Sequence, residues 1–201
     1  MNTPLPFGEI HLTGQAVMRG VAIVLPTPNV LEILPPGMTL RPCPWTPQGT
    51  HPLILFFYDI FGAHMTIPTL LPNMTYYEQI VSVPFVEVDG AFPNFVPGGP
   101  FLFMPQLLLT NELAMIGGRM WWGFAKNLAR VVVTPHCYEV YSLEGRPLIA
   151  LEFEPVTDYA PVSSYPHFET IRPTLDQPVV SQVPLGLGPY FVGSRFERDW
   201  S

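Results

Sequence analysis

The sequence predicts a mainly β protein, an antiparallel β-barrel or sandwich with a few short helices, on three observations. Proline accounts for 26 of the 201 residues and is spread along the whole chain. Each interior proline removes a helical hydrogen bond and costs about 3 kcal/mol, so long helices are disfavoured. The apolar residues fall into short runs, several with period-two alternation, separated by glycine- and proline-containing breakers. The composition is 48% apolar and 13% aromatic but only 12% charged, roughly half the usual charged share of about 25%. Such a chain buries a core rather than staying disordered. At this length one core can bury about 70% of the unfolded surface, so residues 1–201 are read as a single domain.

Taken in order, the candidate strands are Gln15–Leu25, Leu53–Phe61 and Tyr76–Val88, followed by a loop from Asp89 to Pro100 with Asp-Gly and Gly-Gly-Pro breakers. Phe101–Leu109 is a fourth strand. Val131–Tyr141 and Leu148–Pro155 flank the turn Ser142-Leu-Glu-Gly-Arg146 as a hairpin, with Gly145 supplying positive φ. Only short helices remain: Asn29–Leu34, ended by Pro35 and Pro36; Asn111–Ile116, with Asn111 as cap and Gly117 as stop; and a third over Ala125–Arg130. Leu175–Ser201, interrupted by Pro178, Pro184 and Pro189, reads as a tail wrapping the domain.

Several function classes fall away on charge and pattern. Nine cationic against sixteen anionic side chains, a net charge of −7, leave no basic stripe to neutralise a phosphate backbone, so nucleic acid is not an expected partner. No uninterrupted apolar run reaches the roughly 18 residues a membrane helix needs: Pro26 and Pro28 break Val21–Leu34, and Pro105 breaks Phe101–Leu109. Met1–Ile10 carries Glu9 and no cationic stretch before an apolar one, so the expected compartment is the cytoplasm, where Cys43 and Cys137 stay reduced. The five histidines are isolated and none has a second ligand at metal-like spacing, so no metal is expected. The apolar excess and few charges point to a homo-oligomer.

Three charged residues stand out against their surroundings. Eight of the nine cations are arginine, and the single lysine, Lys126, lies in a strongly apolar stretch, Met120-Trp-Trp-Gly-Phe-Ala-Lys126. Lysine can lose its proton when desolvated and arginine cannot, so a role needing a neutral amine explains why this position is lysine. Glu78 shares a strand face with Tyr76, Ile80, Val86 and Val88, which is either a solvated face or a core needing a partner for the acid. Arg19 shares its face with Val17, Val21, Ile23 and Leu25 and poses the same choice between a buried acid partner and the rim of a cavity.

Read together, Leu109-Thr-Asn111-Glu112-Leu-Ala114-Met-Ile-Gly117-Gly118-Arg119-Met-Trp-Trp-Gly123-Phe124-Ala-Lys126-Asn127-Leu128 resembles the acetoacetate decarboxylase superfamily. Gly118-Arg119 stand in the motif's glycine and arginine positions, Phe124 in its aromatic one and Lys126 in that of the imine-forming lysine. Tyr76-Tyr77-Glu78 before Val83-Pro84-Phe85 is similar to the family's strand with an active-site glutamate. The similarity runs from about Tyr76 to Leu151. It implies the family's β fold, catalytic roles for Lys126, Glu78 and Arg19, and substrate-binding roles for Arg119, Asn127, Tyr76, Trp122 and Phe124. Aligning Arg19 with the family's arginine needs a shift of two residues within its strand. Asn127 stands where the decarboxylase proper has a second lysine.

The function implied is a lyase that forms a Schiff base at Lys126 with a small keto acid, decarboxylating it or performing related imine chemistry, without metal or cofactor. A free lysine has a pKa near 10.4, so less than about one in a thousand is the neutral nucleophile at pH 7. Without a cation at 127, activation is expected from burial among Trp121, Trp122, Phe124 and Leu128, helped by Arg119 or Arg19. Two other readings remain: a non-catalytic barrel binding a small hydrophobic carboxylate, and an aldolase or dehydratase variant of the same chemistry.

Overall fold

The structure, a computed structural model, describes residues 11–67, 72–88, 99–155, 164–182 and 191–194. The elements in order are β1 (His11–Pro26), α1 (Thr27–Leu31), β2 (Met38–Leu40), β3 (Thr50–Ile67), β4 (Met74–Val88), β5 (Phe101–Leu109), α2 (Glu112–Trp122) and β6 (Lys126–Leu128). They continue with β7 (Arg130–Thr134), β8 (Cys137–Tyr141), β9 (Pro147–Glu152), α3 (Phe168–Leu175), β10 (Val179–Gln182) and β11 (Phe191–Ser194). The mainly β class is as expected. No helix among the described residues is long and apolar enough to cross a membrane.

Eight strands form one sheet along the path β1-β3-β4-β5-β10-β11, with β2 added to β4 and β6 to β5; β7, β8 and β9 form a second, three-stranded sheet. The path is open among the described strands, so of the two expected architectures, barrel or sandwich, no closed barrel is found. The sheet is also mixed rather than purely antiparallel, because β6 and β10 both pair parallel to β5. Parallel neighbours need a crossover, and α2 supplies it between β5 and β6.

Proline shapes the ladder instead of excluding it. Pro84 and Pro105 fall where the register between β4 and β5 shifts, between Val81 and Val83 and between Val83 and Val86. At such bulges no ladder N–H is required, which is where a sheet tolerates proline. The same shifts interrupt the alternation expected to carry one face from Tyr76 to Val88.

The two faces of the large sheet have different cover. Cross-strand partners lie on one face, so Met18, Tyr58, Glu78 and Leu109 share a face, as do Phe56, Ile80 and Leu107 two residues along. On this side Ile54, Phe56, Ile80, Leu102, Met104 and Leu107 pack against Phe124, against Phe168 and Leu175 of α3, and against Trp122 at the end of α2. The opposite face, with Leu55, Phe57 and Leu108, packs on Tyr138, Val140, Val131, Ile149 and Leu151 of the small sheet. Tyr138, wholly buried, stacks edge-on against Phe57 at 5.1 Å and ties the two sheets.

Four expectations are corrected. α2 starts as expected, with Asn111 accepting from the Ala114 N–H at 2.9 Å, but runs through Gly117 and ends at Gly123, which takes a φ of 65°. Ala125–Arg130 is not helical, because its centre completes the unpaired edge of β5 as β6. Val131–Tyr141 is two strands with a tight turn at Pro135-His136. The tail contains β10 and β11, and the helix α3 precedes it.

Candidate active site

Sheet register brings Lys126 and Glu78 together. Lys126 is the parallel partner of Leu107, itself opposite Ile80, while Leu109 pairs with both Glu78 and Leu128. The lysine and the glutamate therefore lie on one face, two residues apart in register. The Lys126 Nζ sits 2.8 Å from the Glu78 Oε1, with the side chains 8% and 6% exposed. Burying two charges costs several kcal/mol per ion unless geometry and partners offset it. Here each charge is the other's counter-ion. Aromatic rings surround the ammonium, with Tyr76 at 5.8 Å and Phe124 at 6.0 Å from Nζ.

Local structure dictates where the lysine points. A Cβ placed on Gly118 would lie 2.4 Å from the Lys126 Cδ and 2.6 Å from its Cε. The helix thus offers its bare backbone to the lysine stem, and no other residue type leaves that room. The next residue, Arg119, holds the strand itself: its Nε donates to the Lys126 carbonyl at 2.6 Å and its Nη2 to the Asn127 Oδ1 at 2.8 Å. Between them the chain turns tightly, with the Phe124 N–H donating to Gly118 O and the Lys126 N–H to Phe124 O. The Gly-Arg pair seven and eight residues before the lysine is thus a seat and a clamp.

The Tyr76 phenol is 5% exposed, and burial, with a smaller contribution from the Glu78 carboxylate, pushes its pKa far above the usual tyrosine value. It stays a neutral hydroxyl. Trp122 stacks on Phe124 with ring centroids 6.5 Å apart and planes 11° apart, and its carbonyl accepts from Ser181. Trp121, Trp122 and Leu128 are only half-buried, so among the residues expected to enclose the lysine Phe124 is the one fully inside.

Three residues expected at the site do not reach the amine. Arg19 is opposite Phe57, which is opposite Gln79, so it projects from the other face. There its Nη1 donates to both oxygens of Asp59 at 3.1 Å, and its guanidinium lies 5.2 Å from the Phe153 ring. It has the buried acid partner that was one of its two options. Asn127 also faces away, partner of Leu108, with its carbonyl oxygen taken by Arg119. Arg119 itself is exposed and reaches the lysine's backbone, not its amine.

Sequence reasoning missed Asp59 and Tyr138. An acid between Tyr58 and Ile60 in an apolar strand is the same signal that singled out Glu78. The Tyr138 hydroxyl donates to the carbonyl of Tyr58, the register partner of Glu78, at 3.1 Å. Burial first, then the charges of Asp59 and Glu78, raise its pKa well above the usual value. Among the described residues no group of three His, Cys, Asp or Glu side chains could hold a metal ion.

No protein-family model matches the sequence, and no curated protein matches it. Solved structures do. The acetoacetate decarboxylase of Legionella pneumophila matches with a TM-score of 0.56 at 18% identity, over 90% of this chain and 63% of the other. The enduracididine biosynthesis enzyme MppR, complexed with the condensation product of pyruvate and imidazole 4-carboxaldehyde, matches with a TM-score of 0.51 at 17% identity, over 90% of this chain and 64% of its own. The chain thus spans less than two thirds of the length of either. Across that span it has the acetoacetate decarboxylase-like fold.

Proposed function

We propose that the protein is a Schiff-base-forming lyase of the acetoacetate decarboxylase superfamily, with Lys126 attacking the carbonyl of a small keto acid and Glu78 moving the protons. The observation that supports this reading is the enclosed 2.8 Å pair of Lys126 and Glu78 on the Gly118 seat. Within that pair Glu78 takes the ammonium proton, which frees the nitrogen lone pair for the carbonyl carbon. The resulting carbinolamine loses its hydroxyl as water when Glu78 returns a proton to it. The protonated imine is then an electron sink: the carbon–carboxylate bond breaks, CO2 leaves and the pair moves to an enamine. Protonation of the enamine carbon and hydrolysis release a ketone and restore the lysine.

Apolar walls suit this step, because a carboxylate is destabilised where water is excluded and the neutral CO2 is not. Burial makes access part of the reaction, because Nζ and Glu78 are both enclosed. The same imine could instead lose a proton beside the former carbonyl and enter aldol or dehydration chemistry.

The test exploits the single lysine. The protein is incubated with acetoacetate, pyruvate and longer keto acids, reduced with borohydride, and its intact and peptide masses are read. The expected result is an adduct on the Lys126 peptide that is absent from Lys126→Arg, with CO2 evolved from the 3-oxo acids. Folded protein that gives no adduct across the panel and a range of pH overturns the proposal.

A further inference from the structure

We propose that β1 mediates a twofold contact between two copies of this chain, in which the β1 strands pair antiparallel about Gly20 and join the two large sheets into one. β1 ends the strand path and pairs only with β3 among the described strands. Its outer edge therefore presents a row of backbone N–H and C=O groups, a template for another strand. The contact is independent of the imine chemistry.

Proteins blunt such edges in recognisable ways, with short strands, lysines, prolines and bulges. The opposite end of the sheet follows that rule, because β11 has four residues. β1 does not. It runs for 16 residues, against a usual strand length of about 5–6. From Gln15 to Leu25 it contains no lysine, no proline and no register shift against β3. Within this stretch Val21, Ile23 and Val24 are between 36% and 46% exposed. Alternation puts Val24 on the Lys126 side of the sheet and Val21 and Ile23 on the other, so both faces carry uncovered apolar surface.

Charge and self-match select a second copy as the occupant. The chain carries sixteen acids and a net charge of −7, so two copies repel over most of their surface. His11–Pro26 contains no acid, and the charge of its single arginine, Arg19, is neutralised by Asp59 at 3.1 Å. The regular stretch, centred on Gly20, is also matched to itself. Antiparallel pairing about that centre sets Met18 opposite the partner's Ala22, Val17 opposite the partner's Ile23, Ala16 opposite the partner's Val24 and Arg19 opposite the partner's Val21. Apolar residues thus meet apolar residues on both faces, no like charges are directly opposed, and all three exposed residues gain a neighbour.

The size of the contact is adequate. Pairing Gln15–Leu25 with its copy supplies about ten hydrogen bonds between the chains, the complement of a typical protein interface. A twofold contact of this kind closes on itself and leaves no β1 edge to recruit a third chain. Its axis is perpendicular to the sheet, so both Lys126–Glu78 pairs lie on the same side of the joined sheet.

The test is the size of the full chain in solution, by sedimentation velocity over a dilution series. The expected result is a dimer, or a larger assembly built from dimers, that dissociates on dilution. Val24→Lys puts a lysine on an exposed edge position and should weaken the contact by about tenfold or more while thermal melting stays cooperative. Gly20→Cys reports the register. A Cβ there would make only ordinary contact with the Phe56 ring, at 3.5 Å, so the fold accepts it. A short bis-maleimide should then join two copies at position 20, above the background that Cys43 and Cys137 give in the parent. A monomer across the whole series overturns the proposal. An assembly that folded Val24→Lys leaves unchanged overturns it too, as does a dimer in which Gly20→Cys gives no cross-link above the parent.

Discussion

Gly118→Ala separates the geometry of Lys126 from the stability of the fold. The added Cβ would stand 2.4 Å from the lysine Cδ and 2.6 Å from Cε. Carbon atoms rest about 3.5–4.0 Å apart, so the stem must retreat by about 1.1–1.6 Å. A four-bond side chain yields more easily than a helix backbone, so the displacement falls on the amine and opens its 2.8 Å contact with Glu78. Misplacing a reacting group by about 1 Å can cost about a hundredfold in rate. Stability behaves differently. Alanine gains about 1 kcal/mol over glycine inside a helix, while overpacking costs about 1–3 kcal/mol, a net loss between about zero and 2 kcal/mol. At about 2–4 °C per kcal/mol the Tm falls by less than about 8 °C. The assay pairs the rate of borohydride-trapped adduct on Lys126 with thermal melting. Trapping should slow about a hundredfold while the melting transition stays cooperative. A rate within about threefold of the parent would refute the seat. Loss of cooperative folding would refute the claim that the stem yields before the helix.

Four further outcomes follow from the same geometry. Lys126→Met leaves Glu78 buried without its cation and should lower stability by about 3–5 kcal/mol, most of it regained on adding Glu78→Gln; denaturant unfolding of both variants checks the pair. Arg19→Met should cost about 1–3 kcal/mol by freeing Asp59, yet leave trapping at Lys126 within about threefold, because the pair is on the other face. Asn127→Lys should leave the pH dependence of trapping unchanged, since position 127 projects away from Nζ; a shift toward lower pH would show that a cation there acts on the amine. Alkali should destabilise the fold. Tyr76 and Tyr138 keep their protons in the folded chain beyond the pH at which free tyrosine ionises, so the unfolded state binds fewer protons above about pH 10 and stability falls by about 1.4 kcal/mol per pH unit for each. Tyr138→Phe should make that fall shallower, read as denaturation midpoints across alkaline pH.

What the sequence made legible was local. Phe101–Leu109 and the Gly145 turn are where alternation and turn chemistry placed them, and the Gly145 φ is 84°. Glu78 and Lys126 stood out because each is a charge in apolar company, and their burial is the reason that company exists. Elements decided by distant partners were illegible. Lys126-Asn-Leu128 has no strand signature of its own; it is extended because β5 presents an open edge to it. The helix does not stop at Gly117 because a glycine pair can serve close approach as well as termination, and only the position of the Lys126 stem distinguishes the two. Arg19 shows the limit of face arguments made within one strand. Alternation within β1 says which residues are its companions, but which face meets Glu78 depends on register across β3 and β4.

That register divides the sheet into the side of the proposed chemistry and a structural side. Glu78 and Lys126 occupy one face under α2, while Arg19, Asp59 and the small sheet occupy the other. The division is not complete, because Tyr138 reaches through from the structural side to the carbonyl of Tyr58, the residue paired with Glu78. A mobile carboxylate cannot hand a proton to a fixed point, so the strand that carries it has to be held. The ring of Tyr138 against Phe57 and its hydroxyl against the Tyr58 backbone do this from behind, on the opposite face of the sheet. Packing on one face thereby supports the position of the buried Glu78 carboxylate, the proton carrier of the proposed reaction, on the other. The small sheet is on this account part of the site's support, although none of its residues touches the lysine amine.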